Sequence, residues 1–188
     1  GEATFMVEDY VPDRLEFELA SPTGKIAPGA PAEITLNGRF LYGAPAANLD
    51  IEGEMLLTAA KERPGFPGYV FGLTSEQVNA EQQPLADLPG TDDDGKAAFK
   101  VELDKLPTTE RLLDARITVR LAESGGRAVE RKLTIPVAPG DEMIGVKPLF
   151  SDKNVAEGDP ANFDVVYVAR VGSTRILSVA LHVGTRLP

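Results

Sequence analysis

The chain contains no cysteine, so neither a disulfide framework nor a thiolate-bound metal can form within it, and its stability has to come from packing. Histidine is almost as scarce. His182 is the only one, set between Leu181 and Val183 in an apolar run near the end of the sequence. One imidazole cannot build a multi-histidine metal site, and no serine sits in a nucleophile-elbow pattern for it to activate, so a packing or edge role in a strand is expected. Positive charge is outnumbered, 19 Lys and Arg against 29 Asp and Glu for a net charge of −10. Binding a phosphate backbone requires clustered cations that release counterions, which argues against nucleic acid as a partner. No run of about 18 apolar residues is present to cross a bilayer as a helix, so no direct membrane insertion is expected of this segment. A phosphate-cradling glycine loop, a dinucleotide fingerprint and a catalytic cysteine are also missing. The sequence assigns no catalytic, cofactor-binding or metal residue, and the chain is expected not to be an enzyme.

Helical patterning is the last absence. No stretch keeps an apolar i, i+3, i+4, i+7 stripe for three turns, and Pro or Gly interrupts most candidates; Ser75 to Gln83 has room for a turn or so of helix at most. The chain alternates instead. Leu15, Phe17 and Leu19 interleave with Glu16 and Glu18, and the same period of two recurs at Ile34, Leu36 and Phe40, at Ile51, Met55 and Leu57, and at Phe99, Val101 and Leu103. It continues through Ile117, Val119 and Leu121 and through Leu133, Ile135 and Val137. Period two sends one strand face to a core and the other to water, and short strands at this density, punctuated by Gly and Pro, predict an all-β fold built as an antiparallel β-sandwich. The expected core contains Leu15, Phe17, Ile34, Leu36, Ile51, Phe99, Val101, Ile117, Val119 and Leu133.

Turn chemistry punctuates the strands. Tyr42-Gly43-Ala44-Pro45 suits a turn at a sheet edge, and Ser124-Gly125-Gly126-Arg127 reads as a hairpin. Thr91-Asp92-Asp93-Asp94-Gly95-Lys96 carries the carboxylates that cap tight turns. The same acidic run invites comparison with a calcium loop, but an EF-hand started at Asp92 needs its bidentate Glu where Leu103 stands, so a capped turn is expected. Glu16 with Glu18 and Glu52 with Glu54 fall on solvent faces of strands rather than across a glycosidase cleft. The polar stretch between Leu57 and Ala98 is long for a loop, and Tyr69 to Leu73 within it is expected to dock as a short strand. Pro139-Gly140-Asp141-Glu142 is the expected domain boundary, dividing a sandwich domain over 1–138 from a second β domain over 139–188. The latter is too short for a complete sandwich of about 100 residues and is expected to be truncated, its strands Phe163 to Val168 and Ile176 to Val183 leaning on the first domain. Gly1-Glu2-Ala3 shows no basic and apolar leader, so any targeting signal is expected to have been removed or to lie upstream.

Two stretches carry a family resemblance. Phe5-Met6-Val7-Glu8-Asp9-Tyr10-Val11-Pro12-Asp13-Arg14-Leu15-Glu16-Phe17, followed by Gly38-Arg39-Phe40-Leu41-Tyr42-Gly43-Ala44-Pro45, resembles the opening of a macroglobulin-like domain from bacterial members of the alpha-2-macroglobulin family. Ile144 to Phe150 and Val155 to Gly158 resemble the start of a following domain of the same kind. The resemblance implies a fibronectin type III-like sandwich and, for the parent, a large exported protease inhibitor that traps proteases by conformational collapse after a bait segment is cut. It also implies a periplasmic or extracellular setting, with an upstream lipoprotein signal as a route to anchoring. The implied partners are neighbouring macroglobulin-like domains of the same chain, and proteases only through the full-length protein. The thioester carried by many members needs a Cys and cannot lie here. The implied role is an internal scaffold piece. Arg39, Phe40, Tyr10 and Tyr42 are then expected in core and interdomain packing. The rival reading is an adhesion or carbohydrate-binding sandwich of a surface protein, which an exposed aromatic platform would favour.

Overall fold

A computed structural model describes residues 14–123, 128–138, 142–150, 155–156, 159–168 and 174–182, the last of these by backbone alone. In chain order the strands are β1 (Leu15–Ala20), β2 (Ala32–Phe40), β3 (Ile51–Ala59), β4 (Val70–Phe71), β5 (Glu81–Pro84), β6 (Lys96–Val101), β7 (Leu113–Leu121), β8 (Val129–Pro136), β9 (Met143–Pro148), β10 (Pro160–Val168) and β11 (Thr174–His182). The described residues contain no helix. Where the sequence leaves room for a turn of helix, Glu81–Pro84 instead lies along β3 as an edge strand.

Alternation decides the layers. A sheet ordered β1-β2-β6 and a sheet ordered β5-β3-β7-β8 face each other, both antiparallel throughout. Their inward residues make one core that includes Leu15, Phe17, Ile34, Leu36, Ile51, Met55, Phe99, Val101, Ile117, Val119 and Leu121. Nine of the ten expected core residues are buried, and Leu133 is the exception, half-buried against the core. It lies opposite Ile117 on the same sheet face, but among the described residues β8 is the edge strand of its sheet, with no strand beyond it to finish the cover. The same edge explains Arg131, whose guanidinium carbon lies 5.8 Å from the Phe17 ring centroid, so a cation closes the core rim. The two sheets are also stitched at one end, where Ile26 N–H donates to Pro136 O and Ala138 N–H donates to Ile26 O.

A third sheet, ordered β11-β10-β9-β4, follows the sandwich. Three of its strands come from beyond residue 142, but β4 comes from the long segment between β3 and β6. The chain after the connector is therefore joined to the sandwich by a strand that the sandwich itself supplies. The opening motif through Pro12, the 124–127 turn and the Pro139 to Asp141 connector lie outside the described residues.

Candidate functional site

The place where β4 meets β9 is the most constructed feature outside the sandwich core. Phe66, Tyr69 and Phe71 concentrate aromatic surface in an otherwise polar segment, and Gly68 (φ +79°) and Gly72 (φ +67°) bracket the strand. A Cβ at Gly72 would stand 2.5 Å from the Glu110 carbonyl oxygen, so glycine is required both by conformation and by space. Val70 pairs with Val146 and Phe71 with Gly145. On the other side of β9, Leu149 N–H donates to Asn162 O of β10, so odd-numbered β9 residues turn their backbone groups to β10 and even-numbered ones turn theirs to β4. Val70 and Val146 thus form the hydrogen-bonded pair. Phe71 and Gly145 form the other kind, in which facing side chains approach most closely.

That approach is why position 145 is glycine. A Cβ there would lie 2.7 Å from the Phe71 ring and 2.8 Å from Val166, so the bare backbone is a notch that receives the ring. Phe71 is buried with Ala60, Leu112 and Val166, and Phe66, Tyr69, Met143 and Val168 pack around them. The Phe66 ring stands edge-on to Phe71 at 5.8 Å and to Tyr69 at 6.2 Å. Lys147 of β9 places its ammonium 5.7 Å from the Tyr69 ring centroid. This small second core spans both sides of the connector.

The connector's entry is held as well. Arg63 Nη2 donates to Val137 O at 3.0 Å, fixing the last bridged residue after β8. Burial lowers the Arg63 pKa against the pull of Asp114. Burial likewise raises the Asp114 pKa, opposed by Arg63 and Arg116. On the opposite flank Arg111 Nη1 donates to Glu76 O at 3.3 Å. Between that flank and β9 runs a groove of about 1000 Å³. The arrangement joins the β9–β11 sheet to the sandwich through a two-residue ladder and a small apolar cluster.

Residues singled out in the sequence fall elsewhere. Asp92 Oδ1 accepts from Asp94 N–H at 3.0 Å and Lys96 N–H at 2.8 Å, and Asn48 Nδ2 donates to Asp93 Oδ1, which makes the acidic run a capped turn. Gly95 closes it at φ +76°, where a Cβ would collide with the Gly38 carbonyl oxygen. Glu16 accepts from Arg39 at 2.6 Å, and Glu54 accepts from Arg120 and Gln82, so these carboxylates are members of cross-strand pairs. Tyr42 lies outside the sandwich core. It is 76% exposed, because the 40–45 turn closes on itself through Gly43 N–H to Phe40 O and Phe40 N–H to Ala44 O, and among the described residues its ring stacks on Phe40. Arg39 is also exposed, while Phe40 is half-buried against the core. Tyr10 and the His182 side chain lie outside the described residues. Sequence reasoning did not single out Arg63, Asp114 or Gly145; the aromatic cluster bracketed by Gly68 and Gly72 was the available signal.

Comparisons with known proteins converge. The family model described as Bacterial Alpha-2-macroglobulin MG5 domain matches residues 13–139. The chain is 29% identical over 191 residues to alpha-2-macroglobulin of Escherichia coli strain K12, covering 93% of this chain and 11% of that protein. It is 31% identical over 158 residues to alpha-2-macroglobulin of Xylella fastidiosa strain Temecula1, covering 83% of this chain and 9% of that one. Among solved structures, Escherichia coli alpha-2-macroglobulin activated by porcine elastase superimposes with a TM-score of 0.61 at 30% identity, covering 89% of this chain and 15% of the other. Salmonella alpha-2-macroglobulin reacted with methylamine gives 0.63 at 22% identity, covering 93% and 14%. The chain thus spans about a tenth of the length of the curated relatives it matches.

Proposed function

The chain belongs to the bacterial alpha-2-macroglobulin family, with an MG5 domain over residues 13–139, and from this premise we propose that it is an internal scaffold piece of a protease-trapping inhibitor, carrying movement between neighbouring domains. In this reading residues 1–138 form one macroglobulin-like unit and 139–188 open the next. The observation that carries it is the β4 clasp: a strand from the sandwich's own long segment is hydrogen-bonded into the sheet after the connector, with Phe71 buried beside Val166. A rearrangement of the following unit must therefore either drag the sandwich or break a two-residue ladder. Packed cores resist deformation, so motion concentrates in such short connections.

Family membership also supports a periplasmic or extracellular parent, anchored through an upstream lipoprotein signal. The adhesion reading draws less support, since Tyr42 is the one exposed aromatic side chain among the described residues and it sits on a turn rather than a sheet face. The test is to assay the 188-residue chain alone against trypsin and elastase and against a panel of hydrolase substrates. Neither inhibition nor hydrolysis is expected, because scaffold pieces act only within the whole. Stoichiometric inhibition by the isolated chain overturns the division of labour.

A further inference from the structure

The segment between β3 and β4 carries one pattern twice. Arg63-Pro64-Gly65-Phe66 and Phe66-Pro67-Gly68-Tyr69 are Pro-Gly turns that share Phe66. In the first, Phe66 N–H donates to Arg63 O at 3.0 Å; in the second, Tyr69 N–H donates to Phe66 O at 3.3 Å. Gly65 at φ +91° and Gly68 at φ +79° take the left-handed position of a type II turn, and the proline before each fixes φ at the position ahead of it. Neither proline forfeits a hydrogen bond there, and each removes backbone freedom that another residue would restore. Arg63 to Tyr69 is therefore one stiff piece.

Its two ends are fastened on opposite sides of the connector. At one end the Arg63 guanidinium, drawn toward Asp114 of β7, donates to the Val137 carbonyl, and Val137 is itself tied to the sandwich by its N–H to Leu113 O. At the other end Lys147 of β9 sets its ammonium over the Tyr69 ring, and Phe71, two residues on, fills the notch at Gly145 beside Val166. Phe66, at the shared corner, stands edge-on to both Tyr69 and Phe71. The prolines are not packed down onto the sandwich: Pro64, Gly65 and Pro67 line a hollow of about 440 Å³ together with Asp114, Thr134 and Pro136. The piece is thus held by Arg63 on the sandwich side and by its aromatic rings on the other.

We propose that Arg63 is a positioning residue for the sheet beyond the connector: through the two turns, its bond to Val137 O and the seating of Phe71 at Gly145 are made and broken together, so the segment acts as a strut and not as two independent contacts. The proposal deepens the scaffold reading and rests on it for its use in the parent protein, where a strut lets strain at the connector's entry reach the following unit. Coupling of this kind is reciprocal. Whatever the Arg63 bond adds to the seated state of Phe71, the seated ring adds to the bonded state of Arg63.

A chain without cysteine accepts a single thiol as a reporter. Val166→Cys places one in the small core, and Leu36→Cys, in a separate chain, places one in the sandwich core as a control; both positions are buried, so labelling of the 188-residue chain by a thiol reagent reads how often each core opens. Adding Arg63→Met should speed labelling at position 166 about tenfold and leave position 36 unchanged. Pro64→Ala with Pro67→Ala keeps Arg63 and Phe71 but loosens the turns, so it should also speed labelling at position 166, and Arg63→Met should then add little. An unchanged rate at position 166, an equal rise at position 36, or an Arg63→Met effect as large with the turns loosened as with them intact overturns the strut. Each of these results leaves the scaffold reading standing, whereas trypsin inhibition by the isolated chain would defeat that reading without altering the labelling rates.

Discussion

Phe17 shows how a single side chain reports on the sandwich. It sits at an inward position of β1, 3% exposed, with Arg131 over its ring from the facing sheet's edge. Replacing it with Ala removes the packing of a whole ring and leaves a cavity, so chemical denaturation should register a loss of about 3 to 5 kcal/mol; a loss below about 1 kcal/mol would place it outside the core. Asp114 makes a second residue-scale prediction. Its carboxyl is raised in the folded state chiefly by burial, with Arg63 and Arg116 pulling the other way. A carboxyl whose folded pKa exceeds its unfolded value makes the folded state the better proton binder. Its contribution therefore grows as pH falls through the folded pKa and is least favourable above it. Melting curves of the parent sequence and Asp114→Asn should show the difference shifting toward the parent sequence as the pH is lowered from neutral into the carboxylate range. A shift in the opposite direction would mean that pairing with Arg63 outweighs burial.

At the scale of elements, the legible strands are those whose sequence alternates and whose burial is settled by one sheet face. Glu16 and Glu18 face outward while Leu15 and Phe17 face inward, which period two alone requires. The Asp92 turn was legible for the same local reason, since a carboxylate two residues before a backbone N–H caps it without help from the rest of the chain. β5 and the partner of β4 were not. Glu81–Pro84 has no apolar alternation and is a strand only because β3 offers an edge. Val70 and Phe71 are too few to show a period, and their partner lies beyond the connector, where only tertiary packing could point. Docking of this strand makes accessibility uneven along the long segment. Limited proteolysis should cut within Thr74 to Ala80 before it cuts Val70–Phe71, because the former has no strand partner and the latter is paired and carries a buried ring. Earliest cleavage at Phe71 would mean that the clasp is open in solution.

For the molecule as a whole, two layers share one core, and a third sheet is held to them by a contact much smaller than either. Leu133 and Tyr42 mark where sequence patterning runs out, one at an edge strand and one on a closed turn, because alternation says which face a residue takes and not how completely that face is covered. The small second core has no periodic signature at all; it assembles Ala60, Phe71, Leu112 and Val166 from four separated segments. That asymmetry in size motivates the proposal that the sandwich moves as a body and that the clasp decides whether its neighbour moves with it. The most direct test places Phe71→Ala in the full-length parent, confirms by melting that the sandwich remains folded, and follows compaction by X-ray scattering after limiting trypsin. The account predicts bait cleavage at the original rate with compaction and protease retention reduced several-fold, whereas compaction and retention identical to the parent would contradict it.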